Sequence, residues 1–281
     1  MSLSVKVSNQ SPVAKRRSLR GFWPPLASAG VLVLVLVLWQ QLLAQNIVNP
    51  IILPSIPGVV SSLGDAVTGP TFWPDLVRTL YEIIVGFAIG AAIGLALAMA
   101  HVLSKVGKAA LYPYIVIFQA TPHVVMVPIV ITWFGFGPDS KIVQAAIGAV
   151  FPVFINAVVG LTVPNADGRK QLQLLGASPW QVFRMLRLPA AVPAIVSGFQ
   201  IGLTFSTVGA IVSETVAGES GLGVRLTIYQ DNLSIAAMYG QIIAISIIAL
   251  LLYLIVDQAG KRIVYWEREP RRKRPDRMRA E

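Results

Sequence analysis

Residues Leu174 to Pro189 read LLGASPWQVFRMLRLP, a short basic stretch lying between two long apolar runs. Ser178, Pro179 and Gln181 stand in the order of a capping box: a serine N-cap, a proline at the first helical position and a glutamine at the third. Such a cap contributes about 1 kcal/mol, which counts for a helix of roughly ten residues that is marginal alone. Gly176 is placed to end a preceding helix, and Pro189 to stop the new one and open the next apolar run. The expected order is helix, sharp turn, short helix, membrane span. Trp180, Phe183, Arg184 and Arg187 recur at three- to four-residue spacing on the short helix. That aromatic-plus-arginine face suits a protein partner and equally suits an anionic lipid surface.

Working outward, the chain of 281 residues is 55% hydrophobic and 13% charged. Globular domains carry about a quarter charged residues, too many to match this sequence. Six apolar runs are long enough to cross the bilayer as helices: Trp23–Ala44, Tyr81–Leu103, Tyr112–Phe134, Ile142–Val163, Ala190–Val212 and Ile235–Val256. The expectation is an all-α integral membrane protein with six transmembrane helices. Pro113, Pro122 and Pro128 should bend or break the third run. One membrane domain over 23–260 is expected between two basic tails, 1–22 and 261–281. A family-like core of about 74–258 and a loop over 164–189 lie within it. Pro50, Pro54 and Pro57 open a short external segment, GVVSSLGDAV, that reads as an interfacial helix.

Lys and Arg are distributed one-sidedly. Lys15, Arg16, Arg17, Lys105, Lys108, Arg169, Lys170, Arg184, Arg187 and the arginine-rich C-terminal tail fall on one side of the six runs. The other side carries only Arg78, Lys141 and Arg225, amid Asp75, Glu82, Asp139, Glu214 and Asp231. The positive-inside bias therefore places both termini and the Leu174–Pro189 stretch in the cytoplasm. It also accounts for the net charge of +10 without a nucleic-acid partner. KRRSLRGF loosely resembles an export signal, but the apolar run after it is long and no A-x-A site follows, so an uncleaved first span is expected.

Chemistry-bearing groups are sparse. The chain has no cysteine, which excludes disulfides and thiolate sites, and its two histidines, His101 and His123, form no metal-binding pair. Gly107-Lys108 and Gly260-Lys261 lack the upstream glycine of a P-loop, so any nucleotide must be bound by another chain. The Gly-rich AGESGLG at 217–223 has no preceding strand and reads as a turn. Gly86, Gly90, Gly94 and Ala98 recur every fourth residue, a face that lets another helix approach closely. Polar residues inside spans point to a solute pathway or to interhelical hydrogen bonds; Gln119, His123 and Gln200 are the candidates. Prolines flank His123, and irregular backbone at membrane depth usually lines a cavity.

From Lys170 the sequence runs Lys170-Gln171-Leu172, three residues, Gly176, nine residues, Leu186, one residue, Leu188-Pro189. This resembles the cytoplasmic signature of membrane subunits of binding-protein-dependent ABC importers: E-A-A, three residues, G, nine residues, I, one residue, L-P. The glycine, the aliphatic and the Leu-Pro fall in register, while Lys170-Gln171-Leu172 replaces Glu-Ala-Ala. LPSIPGVVSSL, ITWFGFGPDSK and FPVFINAVVGL are similar to the branch serving nitrate, sulfonates and taurine, some members of which carry pyrimidines or aromatic acids. The resemblance spans roughly Leu53 to Val256. It implies a type I importer fold and a permease subunit with no catalytic or metal site. That subunit moves a small solute, such as a sulfonate, taurine, nitrate or a related organic compound. It implies a homodimer, two copies of an ATPase that holds the ATP-Mg, and an external solute-binding protein, with no cofactor on this chain. Gly176, Ala177, Ser178, Pro179, Trp180, Gln181, Phe183, Arg184 and Arg187 would then dock the ATPase rather than lipid. The alternatives are an ion-coupled secondary transporter, disfavoured by the absence of paired broken helices and mid-span carboxylates, and an interfacial membrane enzyme, disfavoured by the scarcity of acids and histidines near one membrane face.

Overall fold

The structure is a computed structural model that describes residues 23–49, 52–104, 106–108, 113–114, 117–118, 121–162 and 166–268. Its contacts divide the chain into two units, 1–56 and 57–281. In the first, helix α1 (Trp23–Ala44) coincides with the first expected run and is apolar on all sides, the pattern of a lipid-facing span. The Trp39 indole N–H donates to Pro54 O at 2.9 Å and ties the helix to the chain that follows it.

Helix α2 (Ile56–Thr68), the expected short helix, belongs to the second unit from Pro57 onward. Helix α3 (Phe72–Leu103) starts nine residues before the second apolar run, because its first turns carry the polar Asp75, Arg78 and Thr79. The third run is described only in part. A 3₁₀ turn (His123–Met126) leads into α4 (Val127–Phe134), and together they make one apolar stretch shorter than a span. Pro122, extended at ψ 110°, sets the break ahead of His123. Then come α5 (Pro138–Thr162), α6 (Ala166–Leu174) and α7 (Pro179–Val182). A single π turn (Phe183–Arg187) joins α7 to α8 (Leu188–Ala217), which is followed by α9 (Leu222–Asp231) and α10 (Ile235–Ile263). Among the described residues, five helices are long and apolar enough to cross a membrane, against the six expected.

One boundary differs in kind. Pro189 does not stop the short helix: α7, the π turn and α8 form one continuous 39-residue helical stretch, Pro179–Ala217. The Leu188 N–H reaches Phe183 O, five residues back, so the helix has already left its four-residue register when the proline arrives. A widened turn absorbs the donor that proline lacks and the crowding its ring would cause.

Two small-residue faces hold the bundle together. A Cβ on Gly86 would sit 2.5 Å from the Ala145 Cβ, and one on Gly94 would sit 2.6 Å from Val150 O, so α3 lies almost backbone to backbone on α5. Ala98 ends the same stripe fully buried. The second face was not read from the sequence, although Gly198, Gly202, Ser206 and Ala210 follow the same every-fourth-residue rule. A Cβ on Gly198 would meet the Asn156 Cβ at 2.8 Å, and the Ser206 hydroxyl donates to Ala145 O at 2.8 Å. In lipid, where burying apolar surface gains little, such close van der Waals packing and interhelical hydrogen bonds carry the association.

Candidate functional site

The helix pair α6–α7 turns at the glycine that the sequence marked for it. Gly176 takes φ +77°, and the Ala177 N–H closes on Leu172 O at 2.9 Å, capping α6. The Gln181 N–H donates to Ser178 Oγ at 3.3 Å and the Ser178 N–H to Gln181 Oε1 at 2.7 Å, a complete capping box. Trp180, Gln181, Arg184 and Met185 stay exposed, Arg187 is half-buried, and Phe183 turns inward to 4% exposure against Leu161 and Ala191. Trp180 stacks on Phe183 at 5.5 Å, so the inward ring supports the outward one. The exposed face therefore comprises Ser178, Pro179, Trp180, Gln181 and Arg184, with Gly176 in the turn and Ala177 partly covered.

His123 reaches a cleft of about 360 Å³ between α5, α8 and the irregular third segment. Ile147, Phe151, Ile155 and Asn156 form its α5 wall, Ile201 and Phe205 its α8 wall, and Phe118, Thr121 and His123 its third side. The His123 ring meets Phe205 edge-to-face at 5.4 Å, and its backbone carbonyl accepts from Gln144 Nε2 at 2.7 Å. Its Nε2 has no hydrogen-bond partner among the described residues. Gln200 goes elsewhere: its amide donates to Asp257 Oδ1 at 3.0 Å, an interhelical bond from α8 to α10, and it does not line the cleft. Gln119 lies outside the described residues.

At the opposite end of the bundle from α7 lies a buried polar clamp whose partners the sequence did not name. It includes Glu82 and Glu214, which the sequence places near the external span ends as interhelical hydrogen-bonding or interfacial residues. Thr79 donates to Glu214 Oε1 at 2.6 Å, and the Gly223 N–H donates to Glu214 Oε2 at 2.6 Å. The Leu222 N–H donates to Thr79 Oγ1 at 3.0 Å, and the Gly221 N–H to Asp75 Oδ1 at 3.1 Å. The AGESGLG turn thus does hold acidic groups, but they are the chain's own carboxyl side chains, bonded at the start of α9. Arg225 pairs with Asp75 at 2.5 Å; burial alone would lower its pKa, and the carboxylate beside it more than reverses this. Lys141, 2% exposed, spans Phe136 O and Ala217 O close to Glu82 and Glu214. The signals in the sequence were Glu82 and Glu214 near the span ends and the helical spacing of Asp75, Thr79 and Glu82 along the start of α3. Among the described residues no group of three His, Asp or Glu side chains is arranged to hold a metal ion.

The architecture has counterparts among solved structures. A chain of an amino acid ABC transporter solved with histidines matches with a TM-score of 0.56 at 21% identity, covering 70% of this chain and 94% of that one. A chain of the MetNI methionine ABC transporter in an inward-facing conformation matches at 0.50 and 22% identity, covering 75% and 94%. In sequence, the riboflavin transport system permease protein RibX of Chloroflexus aurantiacus is 34% identical over 268 residues, covering 95% of this chain and 99% of the relative. The taurine transport system permease protein TauC of Escherichia coli is 28% identical, covering 90% and 95%. Residues 90–264 match the family described as binding-protein-dependent transport system inner membrane component. The match takes in the cleft, the capped turn and most of the long helices, and the chain belongs to that family: it is a multi-pass permease subunit of an ABC importer.

Proposed function

We propose that this permease docks a separate ATPase through Gly176–Arg187 and carries a small solute past His123. Two copies of the chain pair with two ATPase subunits that hold the ATP-Mg. An external solute-binding protein loads the solute, and both termini, with the tails 1–22 and 261–281, face the cytoplasm. The permease body is residues 23–260. Relatives named for riboflavin, taurine and aliphatic sulfonate transport support a small solute as cargo.

One observation carries this reading. The docking face, with Trp180 and Arg184 outward, continues without a break into α8, whose Ile201 and Phe205 line the cleft. A push on α7 from an ATPase is a push on the wall of the pathway. Arg184→Asp reverses an exposed charge without touching the core. It is expected to reduce ATPase co-purification and ATP-driven uptake at least tenfold, while membrane insertion stays normal. Full co-purification together with normal uptake in Arg184→Asp and Trp180→Asp would move the docking site elsewhere.

A further inference from the structure

We infer that the cleft beside His123 takes an uncharged, planar, heteroaromatic solute rather than a small sulfonate-type anion; this rests on the permease reading above. Phe118, Phe151 and Phe205 line the cleft from three separate segments of the chain, and Phe205 remains 40% exposed. Ile147, Ile155 and Ile201 fill the gaps between them. No Lys, Arg, Asp or Glu is among the described lining residues. An anion entering this cleft would meet aromatic faces, which carry negative potential, and no cation, so its desolvation would go uncompensated. A cation would be attracted to those faces but would find no carboxylate behind them. A flat neutral ring system loses least, because it stacks on the phenylalanines and keeps its polar atoms at its edge.

Polar groups stand where such edges fall. Thr121, Asn156 and His123 line the cleft, and His123 Nε2, buried and without a hydrogen-bond partner among the described residues, would bond a ring nitrogen or carbonyl once the imidazole turns toward it. Asn156 is held by its own amide on Pro152 O at 2.8 Å, so its side-chain carbonyl is presented in a fixed direction. The volume lies within the usual range for small-molecule sites, about 300–1,000 Å³, and a molecule as small as taurine would leave most of it empty. Lining that is largely apolar with a few fixed polar groups is what orients a ligand of this kind.

The test uses the complete transporter, permease with its ATPase, in lipid nanodiscs. Riboflavin serves as the neutral heteroaromatic probe, read by quenching of its fluorescence; taurine, an aliphatic sulfonate and choline serve as competitors. Saturable quenching that none of the three displaces is expected. Phe205→Ala and Phe151→Ala should each weaken it about tenfold, a stacking-sized effect. Phe205→Tyr keeps a ring and should retain binding, which separates stacking from misfolding. His123→Ala should weaken riboflavin binding several-fold without releasing the ATPase. Displacement by taurine, sulfonate or choline, or absence of saturable quenching, overturns the assignment. So does efficient disulfide formation between two Ile201→Cys copies, which would make the cleft a subunit contact. ATP-driven uptake by the same complexes with their binding protein is the separate check on the permease reading. If uptake persists while riboflavin fails, only the solute class falls.

Discussion

Single residues divide by how far away their partners lie. Ser178 and Gln181 complete each other across three positions, so their box was visible in the sequence and forms as expected. Ser178→Ala should cost about 1 kcal/mol at the helix start. Faster amide hydrogen exchange over 179–182 would register it, and unchanged exchange would show that the π turn alone holds α7. Glu214 is the opposite case. It meets Thr79, 135 positions away, and the Gly223 amide across a turn, and nothing local announces either bond. Glu214→Ala orphans buried donors at roughly 1–3 kcal/mol each. The detergent-solubilised protein should therefore unfold at a distinctly lower temperature, and an unchanged melting curve would mean the clamp is dispensable. Phe183 shows the limit of periodicity: helical spacing grouped it with Trp180 and Arg184, but it packs into the core while they stay exposed.

Between helices, the decisive quantity is backbone separation. The Gly86–Gly94 stripe was legible because small residues at every fourth position have few other uses in an apolar helix. Its partner, α5, was not named by the pattern, since one stripe says how closely a neighbour approaches but not which neighbour it is. Gly90→Leu would drive a side chain into the Ala146 carbonyl and Ala149 Cβ, an overpacking cost of about 1–3 kcal/mol or more. Gly64, on α2, has open space where a Cβ would stand, with nothing within 4 Å, and serves as the control. Thermal unfolding should separate Gly90→Leu from Gly64→Leu by several degrees, and equal stability of the two would contradict the close α3–α5 contact. Pro189 teaches a related lesson. A proline stops an α-helix only if the register cannot change, and here a single widened turn lets α7 and α8 remain one helical stretch.

For the whole molecule, charge distribution makes the strongest claim. With no native cysteine, a single cysteine added at the C-terminus reports orientation cleanly. It should react with a membrane-impermeant maleimide only after the cells are opened, and labelling of intact cells would reverse the proposed topology. The same asymmetry agrees with the two ends of the 57–281 unit. The basic, capped turn at Gly176–Arg187 marks one end, and the acidic clamp around Glu214 the other. Helix α8 runs between those ends and contributes Ile201 and Phe205 to the cleft wall.

Class, five of the six apolar spans and the capped turn were present in the linear order of residues, because each depends on neighbours within a few positions or on bulk transfer to lipid. The cleft, the inward turn of Phe183, the diversion of Gln200 to Asp257 and the Thr79–Glu214 clamp were not. Each of these arises where helices distant in sequence meet at close range. There the free energy depends on which side chains face each other, and that pairing exists only once the helices have packed.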